Sequence, residues 1–352
     1  MVWMMREGDG VVMPKLKRVK RGLRDHLSGG TAAMREALWT AAVYVSLSVW
    51  HYLFFHQFLL FALLFAAFEL APTYAHVLAF LTVGYLYFYF DGSERTGKRR
   101  WEWFLTSWIT DALTDYFPMK LIRTKELPPG QYIFGVHPHG VMPFSAFPIG
   151  KTSQWPKLFP GIRVQSLTAS CLFKMPITRE LALWAGGIDA SRANAERALE
   201  NKFSLLILPG GSLEILEAHP HLSEQVLVLE RRKGFIELAL KYGIPLVPVY
   251  SFGATELYDQ LNLAKSWREW MIHRLRFAPT IAWGTSPWKL LPAKCPVYVV
   301  VGEPVTVDHE PMAQPTKEAI DALHARYKQA LLALFEKHKH AYGYGNSRLV
   351  IT

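Results

Sequence analysis

The feature that most constrains how this chain can fold is a long apolar stretch near its start. Over residues 37–90 the only Asp, Glu, Lys or Arg is Glu69, which separates a first run, 37–68, from a second run, 70–90. Each run can cross a hydrocarbon core about 30 Å thick, which requires roughly 20 helical residues. The stretch therefore predicts a transmembrane helical hairpin that turns near Glu69–Thr73. Two alternatives stay open: a re-entrant hairpin that never fully crosses, and a buried helix plus a strand in a soluble domain.

Basic residues on both sides of the apolar stretch predict its orientation. One Lys/Arg cluster occupies residues 15–24, and another occupies residues 95–100. Because positively charged flanks stay on the cytosolic side of a membrane, both ends of the hairpin are expected to face the cytosol. The chain then divides into a basic cytosolic N-terminal segment (1–36), the membrane hairpin (37–90) and a cytosol-facing globular domain (91–352).

Composition narrows the class of partner. The formal net charge of +10 favours an anionic partner, which is a nucleic acid, an anionic membrane face or an anionic cofactor. The basic residues cluster beside the apolar stretch rather than in a recognition element, so we expect membrane lipid and no nucleic acid. The two cysteines, Cys171 and Cys295, exclude a disulfide framework and a Cys-rich zinc site.

The globular part has the alternating pattern of an α/β domain. Four short apolar runs are typical of strands buried on both faces: Tyr132–Val136, Leu205–Leu208, Pro245–Ser251 and Val297–Val301. Helical patterns cover Ser191–Asn201 with Ser191 as N-cap, Lys233–Tyr242 ended by Gly243, and a C-terminal amphipathic helix that carries Ile320, Leu323, Tyr327, Leu331 and Leu334. The alternation predicts a mostly parallel sheet with flanking helices.

The first candidate for chemistry is His137-Pro138-His139-Gly140, which directly follows the first predicted strand. Loops at the carboxyl ends of parallel strands are a usual place for an α/β active site. A neutral imidazole can take the proton from an alcohol that attacks a thioester, and a glycine lets a ligand approach the backbone closely. The alternative interpretation is a pair of structural loop histidines.

The second candidate is the turn Pro209–Glu214, which follows another predicted strand. Backbone N–H groups of Gly210 and Gly211 could bind an anion or an acyl oxygen. Glu214 could orient an imidazole or the acceptor hydroxyl. A tight turn without a function is the alternative.

Cations supply two further candidates. Arg192 opens a predicted helix beside the glycine turn Gly186-Gly187 and could bind a phosphate. Arg231, Arg232 and Lys233 are consecutive and could bind the phosphates of coenzyme A. In both places the alternative is an ordinary solvated surface.

Other chemistries find little support in the sequence. There is no Gly-x-Ser-x-Gly nucleophile elbow and no Gly-x-x-x-x-Gly-Lys-Ser/Thr phosphate loop. The triplet His-Pro-His occurs again at His219–His221, and two such pairs could in principle ligate zinc. The second triplet lacks the strand-end setting, however, and a proline between two histidines favours no evident ligand geometry. We therefore predict no metal site and interpret the second triplet as a loop coincidence.

Several blocks together resemble the diacylglycerol acyltransferase type 2 family, which also contains monoacylglycerol and wax-alcohol acyltransferases. The resemblance covers roughly residues 116–342 and the preceding hairpin, with the blocks in the family's order and at comparable spacing. The blocks are Tyr116-Phe117-Pro118, the stretch 132–142 around His137–Gly140, Phe159-Pro160-Gly161, Arg179-Glu180, Gly186-Gly187 with Ser191-Arg192, Arg232–Phe235 with Leu238-Ala239, and Val247–Gly253.

Two features depart from related patterns. The more distant glycerolipid acyltransferases carry His-x-x-x-x-Asp, but Met142 and Phe144 stand five residues beyond the two histidines. This leaves the group that orients the base to be found, and Glu214 is the candidate. The family's Phe-Leu-x-Leu motif is matched only in part, by Phe58–Phe61.

The resemblance implies a glycerolipid-acyltransferase-like fold and a specific reaction. A fatty acyl group would pass from acyl-CoA to 1,2-diacylglycerol, which gives triacylglycerol, with no cofactor beyond the acyl-CoA substrate. His139 would be the general base, with Gly140 beside it leaving room for substrate, and His137 would be the alternative base or an oxyanion donor. Pro138, Gly210 and Gly211 would lie against substrate, and the cations Arg192, Arg231, Arg232 and Lys233 would bind coenzyme A.

The same resemblance leaves several alternatives open. The acceptor could instead be monoacylglycerol or a long-chain alcohol, and the protein could be a non-catalytic hairpin protein of lipid droplets. The expected location is the endoplasmic reticulum membrane, multi-pass, with the lipid droplet surface as a second location. A homo-oligomer also stays open.

Overall fold

A computed structural model describes residues 65, 66, 69, 72–261, 264–275, 280–284, 292–308 and 310–352. The predicted segment 1–36 and all but two residues of the first apolar run lie outside this part of the chain. The second run coincides with helix α1, Pro72–Tyr89. Among the helices that the structure describes, none is both long and apolar enough to cross a membrane. The full hairpin therefore stays a prediction.

The centre of the described chain is a seven-stranded sheet with the strand order β1-β10-β7-β2-β5-β3-β4. Every neighbouring pair in it is parallel except β7 and β10, which are antiparallel. The prediction of an α/β fold with a mostly parallel sheet is therefore confirmed. The strands, with those of two small two-stranded sheets (β6 with β11, β8 with β9), are β1 Lys120–Arg123, β2 Ile133–His137, β3 Val164–Thr168, β4 Gly187–Asp189, β5 Ser204–Ile207, β6 Glu224–Leu227, β7 Leu246–Phe252, β8 Asp259–Gln260, β9 Ala282–Trp283, β10 Tyr298–Val301 and β11 Arg348–Ile351.

The four strands predicted from apolar runs are β2, β5, β7 and β10, each displaced by no more than one residue at either end. Strands β2 and β7 are buried along their whole length, as expected where helices cover both faces of a parallel sheet. Ile133 lies opposite Leu205 on one neighbouring strand and Leu246 on the other. This register places the carboxyl ends of β2, β5 and β7 at one edge of the sheet.

Helices cover the sheet, and their ends follow local sequence signals. The Ser191 side chain accepts a hydrogen bond from the Asn194 N–H at the start of α8, and Gly243 ends α10 at φ 65°. Both predictions of these helix ends are confirmed. The helices are α1 Pro72–Tyr89, α2 Ser93–Thr96, α3 Glu102–Leu105, α4 Trp108–Tyr116, α5 Trp155–Leu158, α6 Ser170–Phe173, α7 Thr178–Trp184, α8 Arg192–Glu200, α9 Ser212–Glu217, α10 Gly234–Tyr242, α11 Lys265–Leu275 and α12 Lys317–His338.

The predicted C-terminal amphipathic helix is α12, which packs against β7 and α10. Phe335 contacts Tyr250 of β7, and Tyr327 contacts Phe235 of α10, with ring centroids 4.9 and 5.0 Å apart. Burial of each such side chain stabilises the fold by about 1.5–3 kcal/mol. One close approach near this contact depends on a glycine. Gly135 on β2 has no Cβ, and a Cβ there would lie 2.0 Å from the Tyr327 hydroxyl. The glycine therefore lets that hydroxyl reach strand β2.

A buried ion cluster lies near the end of α1, and we call it the Arg179 cluster. The Arg179 guanidinium, only 1% exposed, contacts Asp91 at 2.8 Å, Glu94 at 3.0 Å and Glu180 at 3.2 Å. Arg99 also binds Glu180. The Tyr85 hydroxyl of α1 donates to Glu180 at 3.3 Å. The cluster therefore attaches α1 to α7 and to the turn that follows α1.

Candidate active site

The two predicted loops meet at the carboxyl edge of the sheet. His137–Gly140 follows β2 and Pro209–Glu214 follows β5, and these two strands are parallel neighbours. Because parallel neighbours end at the same edge, the loops lie side by side. The Glu214 carboxylate joins the two loops.

Glu214 is the link between the two loops. Its side chain is buried, and its Oε2 accepts a hydrogen bond from the His139 backbone N–H at 2.8 Å. Its Oε1 accepts from the Val228 backbone N–H at 3.1 Å. In the described part of the chain no Lys or Arg forms an ion pair with it. The carboxylate is therefore stabilised by backbone donors and fixes the position of the His139 loop. The predicted role, to orient an imidazole or the acceptor hydroxyl, stays a prediction.

The glycines of the second loop make this position of Glu214 possible. A Cβ on Gly210 would lie 2.0 Å from the Glu214 Cδ, so any larger residue would displace the carboxylate. Gly211 adopts φ 57°, a left-handed value that favours glycine, and its N–H donates to the Leu208 carbonyl at 3.1 Å. The Gly211 N–H is thus used within the turn. Among the described hydrogen bonds none uses the Gly210 N–H, which leaves it as the donor available to a ligand.

The His139 ring has a defined tautomer. Its Nδ1 lies 2.8 Å from the Gly140 carbonyl oxygen, which can only accept, so Nδ1 carries the proton and Nε2 carries the lone pair. Burial lowers the pKa of His139 below its ordinary value of 6.5, although the Gly140 carbonyl and the Glu214 charge oppose this shift. The ring is nevertheless half-buried rather than enclosed. His139 is therefore a neutral base near pH 7 with a proton-accepting nitrogen that a substrate can approach.

His137 occupies a different environment from His139. It is fully buried, and its Nε2 lies 3.1 Å from the Tyr327 hydroxyl. Its Nδ1 makes no hydrogen bond to any described residue and lies 3.9 Å from the Glu214 Oε1. His137 therefore supports the loop from below, and the bond that joins it to the buried Pro138 is cis.

Tyr327 is a site residue that was predicted only as an apolar position of the C-terminal amphipathic helix. Its hydroxyl lies between the His137 Nε2 and the Gly135 carbonyl, to which it donates at 3.2 Å. Burial raises the pKa of Tyr327 well above its ordinary range, with a smaller contribution from Glu214, so the hydroxyl stays protonated. The only sequence signal for Tyr327 was a tyrosine at an apolar position of a helix, and packing in the core explains such a tyrosine as well as a role in the site does.

The predicted phosphate-binding cations divide into two groups. Arg232 donates to the Gly210 carbonyl at 3.3 Å and therefore lies beside the second loop. Lys233 binds Asp321 at 2.5 Å, and the adjacent Arg231 is exposed. Arg192, by contrast, binds Glu196 at 3.2 Å and also Glu237, on the surface of α8 and α10. The structure thus brings Arg232 to the site but does not bring Arg192 there.

The second His-Pro-His triplet lies closer to the site than the sequence suggested. His219 lines a small cavity together with Pro138 and Glu214, and its Nδ1 lies 3.4 Å from Asp259. His221 points elsewhere, with its Nδ1 2.9 Å from Glu256. Within the described residues no three His, Cys, Asp or Glu side chains are grouped as metal ligands would be. The position of His219 beside Pro138 and Glu214 was not predicted, because the second triplet follows no predicted strand.

Comparison with known proteins agrees with the geometry. The family model for diacylglycerol acyltransferase matches residues 68–352. "Diacylglycerol O-acyltransferase 2" of Homo sapiens is 36% identical over 267 residues, which are 71% of this chain and 68% of the relative. "2-acylglycerol O-acyltransferase 3" of Homo sapiens is 35% identical over 305 residues, or 82% and 86% of the two chains. The crystal structure of a 1-acyl-sn-glycerophosphate acyltransferase from Thermotoga maritima covers 80% of this chain and 97% of its own, with 14% identity and a TM-score of 0.38. The chain is an acyltransferase that belongs to the diacylglycerol acyltransferase type 2 family.

Proposed function

We propose that the protein transfers a fatty acyl group from acyl-CoA to the free hydroxyl of 1,2-diacylglycerol, which yields triacylglycerol and coenzyme A. The observation that carries the proposal is the state of His139: Nδ1 is occupied by the Gly140 carbonyl, and the lone pair of Nε2 is directed away from it. The name of the relative "Diacylglycerol O-acyltransferase 2" supports this acceptor.

The reaction follows from the positions of the groups. The His139 Nε2 accepts the hydroxyl proton while the hydroxyl oxygen attacks the thioester carbonyl carbon. The tetrahedral intermediate then collapses, the carbon–sulfur bond breaks, and the same proton passes from Nε2 to the departing thiolate. The backbone N–H of Gly210, which no described hydrogen bond uses, would stabilise the oxyanion, an effect of about 3–4 kcal/mol where it has been measured in other enzymes.

The remaining residues have supporting roles. Glu214 holds the His139 loop through its backbone, and Tyr327 positions His137 beneath that loop. Arg231 and Arg232 would bind phosphates of coenzyme A, since both carry a positive charge beside the Gly210 turn and neither forms an ion pair with a carboxylate in the described part of the chain. Arg192 is given no role because two carboxylates already compensate its charge.

A membrane setting fits this chemistry. We propose that residues 37–90 form the helical hairpin, that both termini face the cytosol, and that the enzyme lies in the endoplasmic reticulum membrane or at the lipid droplet surface. Exposed apolar side chains along α1 support contact with lipid, among them Phe80 at 78% and Val83 at 66% exposure. A site at the membrane surface can take acyl-CoA from water and the acceptor from the bilayer.

Monoacylglycerol is the second candidate acceptor. The relative named "2-acylglycerol O-acyltransferase 3" spans more of this chain than the diacylglycerol enzyme does and is about as similar. A long-chain alcohol would use the same base and the same donor. The base chemistry is the same for all three acceptors, since in each the attacking group is an alcohol hydroxyl.

The test is acyl transfer by microsomes from a host without neutral-lipid synthesis. Labelled oleoyl-CoA is supplied with diacylglycerol, 2-monoacylglycerol or hexadecanol, for wild type, His139→Ala and His221→Ala. His221 is an exposed histidine of the second triplet and provides the matched control. Labelled triacylglycerol from wild type and His221→Ala, but not from His139→Ala, is the expected result. Preferential label in diacylglycerol or wax ester would change the acceptor. Full activity of His139→Ala would overturn the assigned base, and no label in any product would favour a non-catalytic hairpin protein.

A further inference from the structure

The described chain contains a second, strongly basic pocket that the proposed reaction does not use. Four cations line it: Arg95, Lys98, Arg163 and Arg197. No Asp or Glu is among the described residues that line it. We call it the basic pocket.

The basic pocket lies at the opposite edge of the sheet from His139. Arg163 immediately precedes β3, and Phe203, another lining residue, immediately precedes β5. The pocket is therefore at the amino ends of these parallel strands, whereas the catalytic loops follow their carboxyl ends. A ligand in this pocket would be held apart from the acyl-transfer chemistry.

The cations of the basic pocket are positioned by neutral groups. Arg197 donates to the Arg95 carbonyl at 3.0 Å and to the Asn194 side-chain oxygen at 3.1 Å. The Arg163 guanidinium lies 4.4 Å from the centre of the Phe203 ring. These contacts fix the side chains without compensating their charge. The nearest carboxylate is Glu94, 3.5 Å from the largely exposed Arg95, and it also binds Arg179.

The backbone between Arg95 and Arg100 is held tightly against the sheet. Gly97 has φ 67°, and a Cβ there would lie 2.1 Å from the Gln165 side-chain nitrogen, so the turn approaches β3 as closely as a glycine allows. Arg100 donates to the Val164 carbonyl. The basic pocket is therefore a built feature of the fold rather than a cluster of mobile surface chains.

Elsewhere in the described chain many basic side chains bind carboxylates. Lys241 binds Glu196, Lys328 binds Glu230, and similar pairs involve Arg326 and Arg348. Lys98, Arg163 and Arg197 form no such pair among the described residues, so the cations of the basic pocket repel one another, and a bound anion would relieve that repulsion. Guanidinium groups match the oxygens of a phosphate in geometry as well as in charge.

The surroundings indicate where the phosphate comes from. Trp101 and Trp103 directly follow the basic segment, are 44% and 57% exposed, and have ring centroids 5.2 Å apart. The exposed apolar side chains of α1 precede it. Tryptophan next to Lys and Arg is the arrangement found where proteins meet the headgroup layer of a membrane. We propose that the basic pocket binds the phosphate headgroup of an anionic membrane phospholipid and so anchors the domain independently of catalysis.

The experiment measures ligand binding by the purified full-length protein in a neutral detergent. The probe is dihexanoyl phosphatidate, and binding is read from the concentration dependence of the unfolding temperature. All variants carry His139→Ala, so that the result does not depend on acyl transfer. The binding variant is Arg163→Gln with Arg197→Gln, and the control is Arg326→Gln, an arginine on α12 that binds Asp308.

The proposal predicts saturable stabilisation by phosphatidate and at least tenfold weaker binding by the double variant, with no change in the control. Dihexanoyl phosphatidylcholine should not stabilise the protein. If the double variant does not fold, Lys98→Gln with Arg95→Gln alters only exposed side chains and should weaken binding at least threefold. Equal affinity for inorganic phosphate would overturn the lipid source, and competition by coenzyme A at similar concentrations would assign the pocket to the acyl donor. Unchanged binding by both variants would overturn the site.

Discussion

Two regions of this protein hold carboxylates in place, and they do so in opposite ways. In the Arg179 cluster three partly exposed carboxylates surround one buried guanidinium, and Arg99 supplies a second. At the catalytic loops Glu214 is more deeply buried and meets two backbone N–H groups and a histidine 3.9 Å away, with no Lys or Arg ion pair in the described residues. The Arg179 cluster compensates carboxylate charge with guanidinium charge, whereas the catalytic loops compensate it with the dipoles of backbone N–H groups.

The difference separates a structural site from a reactive one. A guanidinium that binds several carboxylates stays charged at every physiological pH, so Arg179 cannot act as a proton donor or acceptor. The catalytic loops contain two imidazoles, one with an unpaired Nδ1 and one with a free lone pair on Nε2. Incomplete compensation of buried polar groups is typical of functional sites.

The largest effect is expected from moving the Glu214 carboxylate. Gly210→Ala would place a Cβ 2.0 Å from the Glu214 Cδ and force the carboxylate away from the His139 N–H. Because displacement of a catalytic group by 1 Å can cost about 10²-fold, we expect kcat to fall by about 10²- to 10³-fold. The measurement is labelled triacylglycerol formation at saturating substrate.

Gly234→Ala is the matched control for that substitution. Gly234 begins α10, has a negative φ, and an added Cβ would meet no atom within 4 Å. The activity of Gly234→Ala should remain within a factor of about two of the wild-type value, because alanine is a good helix former and the added Cβ contacts nothing. Similar losses in both glycine variants would mean that the Gly210 contact is unimportant.

The next largest effect concerns stability rather than rate. Arg179→Met would leave three carboxylates near α1 without their shared cation, which should lower the free energy of unfolding by about 3–5 kcal/mol. Activity per folded molecule should change little, because the cluster contacts no residue of the catalytic loops. Thermal unfolding of the purified protein and specific activity below the transition would be compared. A loss of specific activity at unchanged unfolding temperature would erase the contrast between the two regions.

Much of the fold could be predicted from sequence because burial determines its pattern. Strands β2, β5, β7 and β10 are apolar along both faces, and that run of residues is visible without a structure. Strands β3 and β4 were not predicted, since Gln165, Ser166 and Thr168 give β3 no apolar run and β4 spans only three residues. The position of α1 was anticipated by the apolar composition, but its attachment to the domain was not.

The candidate site could be predicted only where its residues closely follow a predicted strand. His137, His139 and Glu214 lie in strand-end motifs, which is why they were identified. The role of Glu214 as an acceptor of backbone N–H groups was not predictable, because it depends on how two loops meet. Tyr327 lies far along the chain and fits the apolar pattern of its helix, so only the fold reveals its contact with His137.

A smaller effect is expected from the residue that sequence did not reveal. Tyr327→Phe removes the hydroxyl from the His137 Nε2 and leaves that nitrogen buried without a partner, at a cost of about 1–3 kcal/mol. If His137 positions the His139 loop, kcat should fall about tenfold and the pH dependence of kcat should shift. Tyr132→Phe is the control, because that hydroxyl donates only to the Pro128 carbonyl, away from the site. An unshifted pH profile with the same loss in both variants would reduce Tyr327 to a packing residue.

The smallest effect tests the charge state of the base itself. His139 must be neutral to accept a proton, and burial holds its pKa below 6.5, so activity should persist at pH 6.5 and fall only under more acidic conditions. The Glu214 charge raises that pKa in opposition to burial, and Glu214→Gln removes the charge while keeping the shape of the side chain. The acid midpoint of kcat/KM should therefore move to still lower pH in Glu214→Gln, even as the rate falls because the amide can accept from only one of the two backbone N–H groups. In the Arg179 cluster Glu180→Gln should leave the midpoint unchanged, since that carboxylate faces arginine rather than the base. An acid midpoint above pH 6.5 in the wild type would show that burial does not hold the His139 pKa down, and a shift to higher pH in Glu214→Gln would show that the Glu214 charge does not raise it.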